Sequence, residues 1–268
     1  MINYKISVSI NNAHQKGMIM IFKQLYEPLS STYTYLIGDT STGQAVLIDP
    51  VIATMDRDLA ELHKLGLTLA YTIDTHIHAD HITAALEMKR EVGSKIAAPA
   101  YDRLGCADIG LEDGVPFELD GITLHPLHTP GHTDGHFAYI FDGRVFTGDA
   151  LLIEGCGRTD FQNGDADALY HSVRDKLFSL PDETLVYPAH DYKERFVSSI
   201  AQEKKRNPRL GGDTTIEEFR VIMNNLNLPY PKFINYAVPG NKQCGVCPED
   251  LPENLAGYCR QMTQSPQG

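Results

Sequence analysis

Residues Thr75-His76-Ile77-His78-Ala79-Asp80-His81 place three imidazoles and a carboxylate within six positions, directly after the apolar run 69–73. Imidazole and carboxylate are the donors that zinc, iron and manganese accept. A strand running into such a cluster directs alternate side chains to one face, so His76 and His78 can point the same way. Asp80 and His81 then fall on the following turn and can approach from another side. A chain carrying this heptad has to fold so that a strand end meets further ligands from elsewhere.

Those ligands recur at similar places. His132 sits in Thr129-Pro130-Gly131-His132-Thr133 after a strand-like run ending at His128. Asp149 follows Thr147-Gly148, and His190 lies in Pro188-Ala189-His190-Asp191 after the run 185–187. Strand ends and the loops after them are where catalytic groups usually sit, and strand ends converge at one edge of a sandwich. His76, His78, Asp80, His81, His132, Asp149 and His190 therefore make seven candidate ligands. His63, His125, His128, His136 and His171 lack this context, with His128 and His136 the nearest to it in sequence.

The rest of the chain alternates between β-rich and helical stretches. Strand patterns cover 19–24, 33–37, 45–48, 68–73 and 96–98 in the first half, and 122–128, 137–141, 145–147 and 185–187 in the second. Asp142-Gly143 is a two-residue hairpin signal. Helical spacing covers 56–65, 84–92, 166–178, 192–206 and 215–226. Two β layers with helices outside, a four-layer αββα sandwich of the α/β (α+β) class, fit this order. The expected organisation is a leader at 1–17, one catalytic domain at 18–238, and an extended tail at 239–268 lying over the body.

Net charge −12 argues against a nucleic-acid surface, and an anionic small substrate would need a local cluster of Arg or Lys. No apolar run reaches bilayer-spanning length, so no membrane partner is expected. Five cysteines, an odd count without a secretion signal, predict reduced thiols in a cytosol-like compartment. Cys244 and Cys247 have CxxC spacing, but no second such pair accompanies them; incidental cysteines in a surface tail are the plainer reading.

At these residues the sequence resembles the metallo-β-lactamase fold superfamily, with HxHxDH followed in order by His132, Asp149 and His190. Gly155-Cys156-Gly157-Arg158-Thr159-Asp160-Phe161-Gln162, Asn207-Pro208-Arg209-Leu210 and Asn225-Leu226-Asn227-Leu228-Pro229 narrow the resemblance to persulfide dioxygenases of the ethylmalonic-encephalopathy-protein type. The resemblance implies the metallo-β-lactamase fold and one non-haem Fe(II) per chain, held by His76, His132 and Asp149. His78, Asp80, His81 and His190 would then support those ligands or be remnants of a second metal site. It implies glutathione persulfide and O2 as substrates, sulfite and glutathione as products, a cytoplasmic or mitochondrial-matrix location, and frequent pairing into homodimers. Arg158 and Arg209 become candidates for the two glutathione carboxylates, with Tyr192, Thr133 and Cys156 beside them. His136 stands where many members carry Cys or Ser.

Ligand residues alone leave two alternatives open. A thioesterase of the glyoxalase II type uses all seven ligands for two metals. A non-enzymatic metal or redox sensor would use Cys244 and Cys247 as its switch.

Overall fold

The computed structural model describes residues 19–259. The expected leader at 1–17 lies outside them. Two mixed sheets of six strands each stack face to face. The first runs β1 (Met20–Glu27), β2 (Thr32–Asp39), β3 (Gln44–Ile48), β4 (Thr68–Ile73), β5 (Lys95–Pro99) and β6 (Ile109–Leu111), in that spatial order. The second contains β7 (Phe117–Leu119), β8 (Ile122–His128), β9 (Phe137–Phe141), β10 (Arg144–Gly148), β11 (Leu185–Pro188) and β12 (Ser198–Ser199).

The period-2 alternation of strands builds three apolar layers. Tyr33, Tyr35 and Ile37 of β2 face the other sheet, where Phe137, Tyr139, Phe141 and Phe146 meet them. Leu36, and Ala45 and Leu47 of β3, face outward under α1 (Met55–Lys64), α2 (Ala85–Val92) and α6 (Ile234–Asn241). Ala138, Ile140 and Val145 face outward on the second sheet, under α3 (Ala166–His171), α4 (Ile200–Arg206) and α5 (Ile216–Asn224). Sheets with both faces apolar must be covered by helices, which gives the four-layer αββα sandwich.

Three expectations change. The helix expected over 192–206 starts only at Ile200. Upstream, the buried Asp191 carboxylate accepts from the amides of Lys193 (3.1 Å), Arg195 and Phe196 (2.7 Å). A short acidic side chain that satisfies local amides competes with the helix, and Glu194 and Phe196 adopt positive φ. The described part of the expected tail is not all extended: its start at 239 falls inside α6, and Glu253–Cys259 forms a 3₁₀ helix.

Four of the five cysteines are not reduced. Cys106 pairs with Cys244, and Cys247 with Cys259, at Cα separations of 6.1 and 5.9 Å, within disulfide reach. The CxxC residues thus bond distant partners rather than each other, and Cys244 is buried. Only Cys156 remains a free thiol among the described residues, which reconciles an odd count with two bridges.

Helix α6 is tied into the body. Asn241, buried at the end of α6, donates through Nδ2 to the carbonyls of His78 (2.9 Å) and His81 (2.8 Å). Its Oδ1 accepts from the amide of Thr83 at 3.0 Å.

One buried charge works against the fold. Burial pushes Asp58, on the first turn of α1, up from 3.8 to about 6, with Arg57 only partly offsetting this. Its Oδ2 has no hydrogen-bond partner. Because the folded pKa exceeds the unfolded one, the penalty is absent below pH 3.8 and complete above about 6. The full difference corresponds to about 3 kcal/mol. Asp58→Asn is therefore expected to raise the melting temperature at pH 7.5, with the gain shrinking as pH falls through 6 toward 4. A gain independent of pH, or none at pH 7.5, would contradict this.

Candidate metal centre

The parallel pairs β3–β4 and β10–β11 end at the same edge of the sandwich, and β8, antiparallel to β9 like β10, ends there too. Asp49 follows β3, His76 follows β4, His132 follows β8, Asp149 follows β10 and His190 follows β11. Ligand crevices in sheets of this kind lie outside the carboxyl ends of the strands. Gly148 and Gly131 make the close packing there feasible. A Cβ on Gly148 would lie 2.4 Å from His136 Nε2, and one on Gly131 would lie 2.2 Å from the Leu169 backbone nitrogen. Both have positive φ, at 48° and 132°.

His76, His132 and Asp149 each direct a donor atom into one cluster, all within 4.8 Å of one another. Their neighbours fix which nitrogen is available. Thr75 Oγ1 donates to Asp49 Oδ2 at 3.0 Å, so at 2.9 Å it accepts from His76 Nδ1, leaving the His76 Nε2 lone pair free. His132 Nδ1 donates to the Arg158 carbonyl at 2.7 Å, leaving Nε2 3.5 Å from Asp149 Oδ2. Outer hydrogen bonds of this kind set the tautomer and orientation of metal-binding imidazoles. Burial and the neighbouring imidazoles hold His76 well below the usual histidine range, as a neutral ligand requires. Asp149 Oδ1 is buried with no hydrogen-bond partner. A carboxylate oxygen left so, beside the donor atoms of His76 and His132, fits a cation.

His78, Asp80 and His81 form a second cluster of the same reach. His78 Nε2 donates to Asp49 Oδ1 at 3.1 Å, and its Nδ1 has no partner. Burial opposes charge on His78, but Asp49 outweighs it and lifts its pKa to about 9. His81 Nδ1 bonds Asp80 Oδ2 at 2.9 Å, and its Nε2 is also unpartnered. Burial works against ionisation of Asp80, yet His81 and His190 hold it well below the carboxylate range. His190 donates from Nδ1 to the Ser31 carbonyl at 3.1 Å and directs Nε2 between Asp80 and Asp149, 3.6 Å from each. All seven sequence-selected ligands thus meet at one edge. They fit a metal, and the fold family carries one.

The clusters open into a cavity of about 580 Å³ lined by Asp80, His132, Asp149 and His190 at one end. Arg158, Lys193, Arg195, Arg209 and Lys232 line the rest. Arg158 already has a carboxylate partner: it bonds both oxygens of Asp160 at 2.6 and 2.7 Å and the Pro229 carbonyl at 2.8 Å, and lies over Phe161. Arg195 pairs with Glu154 at 2.8 Å. Arg209 bonds only uncharged groups of Cys156, and neither it nor Lys193 nor Lys232 has an ion pair among the described residues. Tyr192 stands at the mouth, stacked on His190 with ring centroids 5.8 Å apart.

Two further candidates differ in place. Thr133 is buried and does not line the cavity; its carbonyl accepts from the Gly131 amide at 2.9 Å. Cys156 does line it, but burial pushes its thiol up to about 11, so it stays protonated at neutral pH. Sequence reasoning passed over Asp49, although it follows a strand just as Asp149 does. It also passed over Lys193 and Lys232, which carry no motif.

A layered αββα sandwich with a histidine–carboxylate cluster at its strand ends defines a metallo-β-lactamase-type metal protein. The description "Metallo-beta-lactamase superfamily" matches residues 28–103 and 97–190. The chain is 45% identical over 232 residues to human "Persulfide dioxygenase ETHE1, mitochondrial", covering 86% of this chain and 91% of that one. The crystal structure of ETHE1 from Myxococcus xanthus superposes with a TM-score of 0.82 at 53% identity, covering 84% of this chain and all of that one. A hydroxyacylglutathione hydrolase from Methylococcus capsulatus is 35% identical, over 64% of this chain and 68% of its own. The chain belongs to the persulfide dioxygenase family of the metallo-β-lactamase superfamily.

Proposed function

We propose that the chain oxidises glutathione persulfide with O2 and water to glutathione and sulfite, at one Fe(II) held by His76, His132 and Asp149. The observation that carries this reading is the donor set: two imidazoles and one carboxylate whose donor atoms lie within 4.8 Å of one another, with His132 and Asp149 lining the cavity. Two histidines and a carboxylate on one face suit non-haem Fe(II) and leave its other positions open to substrates. Bound there, iron supplies the electron-transfer chemistry with O2 that closed-shell side chains lack.

The chain's own part is binding and orientation. Glutathione carries two carboxylates, and Lys193, Arg209 and Lys232 are the cavity cations without a carboxylate partner among the described residues. Arg209 and the lysines take those carboxylates, while Arg158 shapes the wall through Asp160 and Pro229. The tripeptide then lies along the cavity with its terminal sulfur at the His132–Asp149 end. Tyr192 flanks it at the mouth. None of the described helices is long and apolar enough to cross a membrane. We place the work of the chain in the cytoplasm, or in the mitochondrial matrix of a eukaryotic host.

Purified protein should carry about one iron per chain and take up O2 only with glutathione persulfide present. Two metals per chain, with thioester cleavage and no O2 uptake, would favour the hydrolase. Arg209→Ala should raise KM for glutathione persulfide about 10–100-fold, the loss of one charge-assisted hydrogen bond of about 1.5–3 kcal/mol, with iron content unchanged. Arg158→Ala should move KM less.

A further inference from the structure

We infer that His136 is a positioning residue for the metal centre, holding the ligand loop of Asp149 through its backbone amide and bracing His76 from behind. The inference rests on Asp149 and His76 being ligands. His136 itself lines no part of the cavity and is fully buried.

Both of its ring nitrogens are committed. Nε2 lies 3.1 Å from the Asp149 backbone nitrogen, and an amide can only donate, so Nε2 accepts. The proton is therefore on Nδ1, which donates to Thr129 Oγ1 at 2.8 Å. One neutral tautomer satisfies both bonds; the other would set two N–H groups against each other. The ring also packs against that of His76, with centroids 5.0 Å apart and planes within 29°.

The backbone around it joins the same three loops. The His136 carbonyl accepts from the Thr129 amide at 2.9 Å, closing the turn that carries His132. The next amide, of Phe137, donates to the Thr75 carbonyl at 2.8 Å, beside His76. Gly148, without a side chain, lets the ring reach the Asp149 amide. His136 is thus the point where the loops of all three proposed ligands are tied together. An apolar side chain of similar size would fill the space but leave the Asp149 amide unpaired, and a loop that moves to satisfy that amide moves the carboxylate.

The test compares wild type, His136→Leu and His136→Gln. Gln keeps an acceptor that can reach the Asp149 amide; Leu does not. Apo protein is titrated with Co(II) and followed by the visible absorption of the bound ion, and thermal midpoints are measured on the same apo samples. Leu is expected to weaken Co(II) binding about 10–100-fold, the range for outer partners of metal ligands. Gln is expected to recover most of that loss, even where the apo midpoints of the two variants are alike. Leu binding Co(II) as tightly as wild type, or Gln binding no better than Leu, overturns the inference. Should Leu fail to fold, Thr129→Val removes the hydroxyl that sets the tautomer. It is expected to weaken Co(II) binding, and unchanged affinity overturns the inference. Asp149→Ala separates the two levels. If it keeps wild-type affinity, the ligand assignment fails; if it loses Co(II) while His136→Leu does not, only the role of His136 fails.

Discussion

Asp149→Ala is expected to strip the protein of iron and of persulfide-dependent O2 uptake together, while the chain still folds. Asp149 brings the one carboxylate of the proposed triad, and its Oδ1 has no hydrogen-bond partner among the described residues. Removing it therefore breaks no internal hydrogen bond of that oxygen, so the fold has little to lose. The metal loses both a donor and its charge compensation. The fall in affinity should exceed the roughly 10–100-fold that changes to outer partners cause. Iron content per chain and O2 uptake are the measurements. His81→Asn provides the contrast: with a single iron at His76, His132 and Asp149, it should retain most of the iron. An Asp149→Ala protein with full iron and full turnover would refute the triad. Loss of half the metal in His81→Asn would point to two ions.

The second large effect is on stability. Phe146 is wholly buried between the sheets, with ring centroids 4.9 Å from Tyr35 and 5.9 Å from both Phe22 and Tyr187. Phe146→Ala should cost about 3–5 kcal/mol, because rigid sheets on both sides cannot collapse into the space. The cavity would reach the site as well. Tyr35 donates its hydroxyl to the Pro188 carbonyl at 2.6 Å, at the end of the strand that leads to His190. Urea unfolding should show a lower midpoint with an unchanged slope. A loss below about 1 kcal/mol would mean that the inter-sheet layer repacks, contrary to its packing here.

The sequence was most legible where patterning was strict. The strands at 68–73, 122–128 and 137–141 coincide with β4, β8 and β9, because short runs rich in branched and aromatic residues there are bounded by turn residues. The seven ligands were legible for a related reason: each needs only its own strand to be recognised, and the sandwich brings the strand ends together. The segment 192–199 was not legible, since one side chain, Asp191, outbids the helix by capping three amides at once. β6, β7 and β12 have two or three residues each, too few to display a period. The Cys106–Cys244 disulfide was hidden by distance, as its cysteines are 138 residues apart. The free cavity cations were hidden as well, because whether Lys193 or Arg158 has a counter-ion depends on neighbours that only the folded chain supplies.

The hold of Asn241 on the His78–His81 turn fixes an order of events in the life of the chain. Its contacts with His78 and His81 span 163 and 160 residues. While the protein is being made, residues 76–81 leave the ribosome long before their latch exists. The turn is completed only once residue 241 has emerged as well. A product stopped short of that residue would carry His76, His132 and Asp149 but lack the latch on the turn that follows His76.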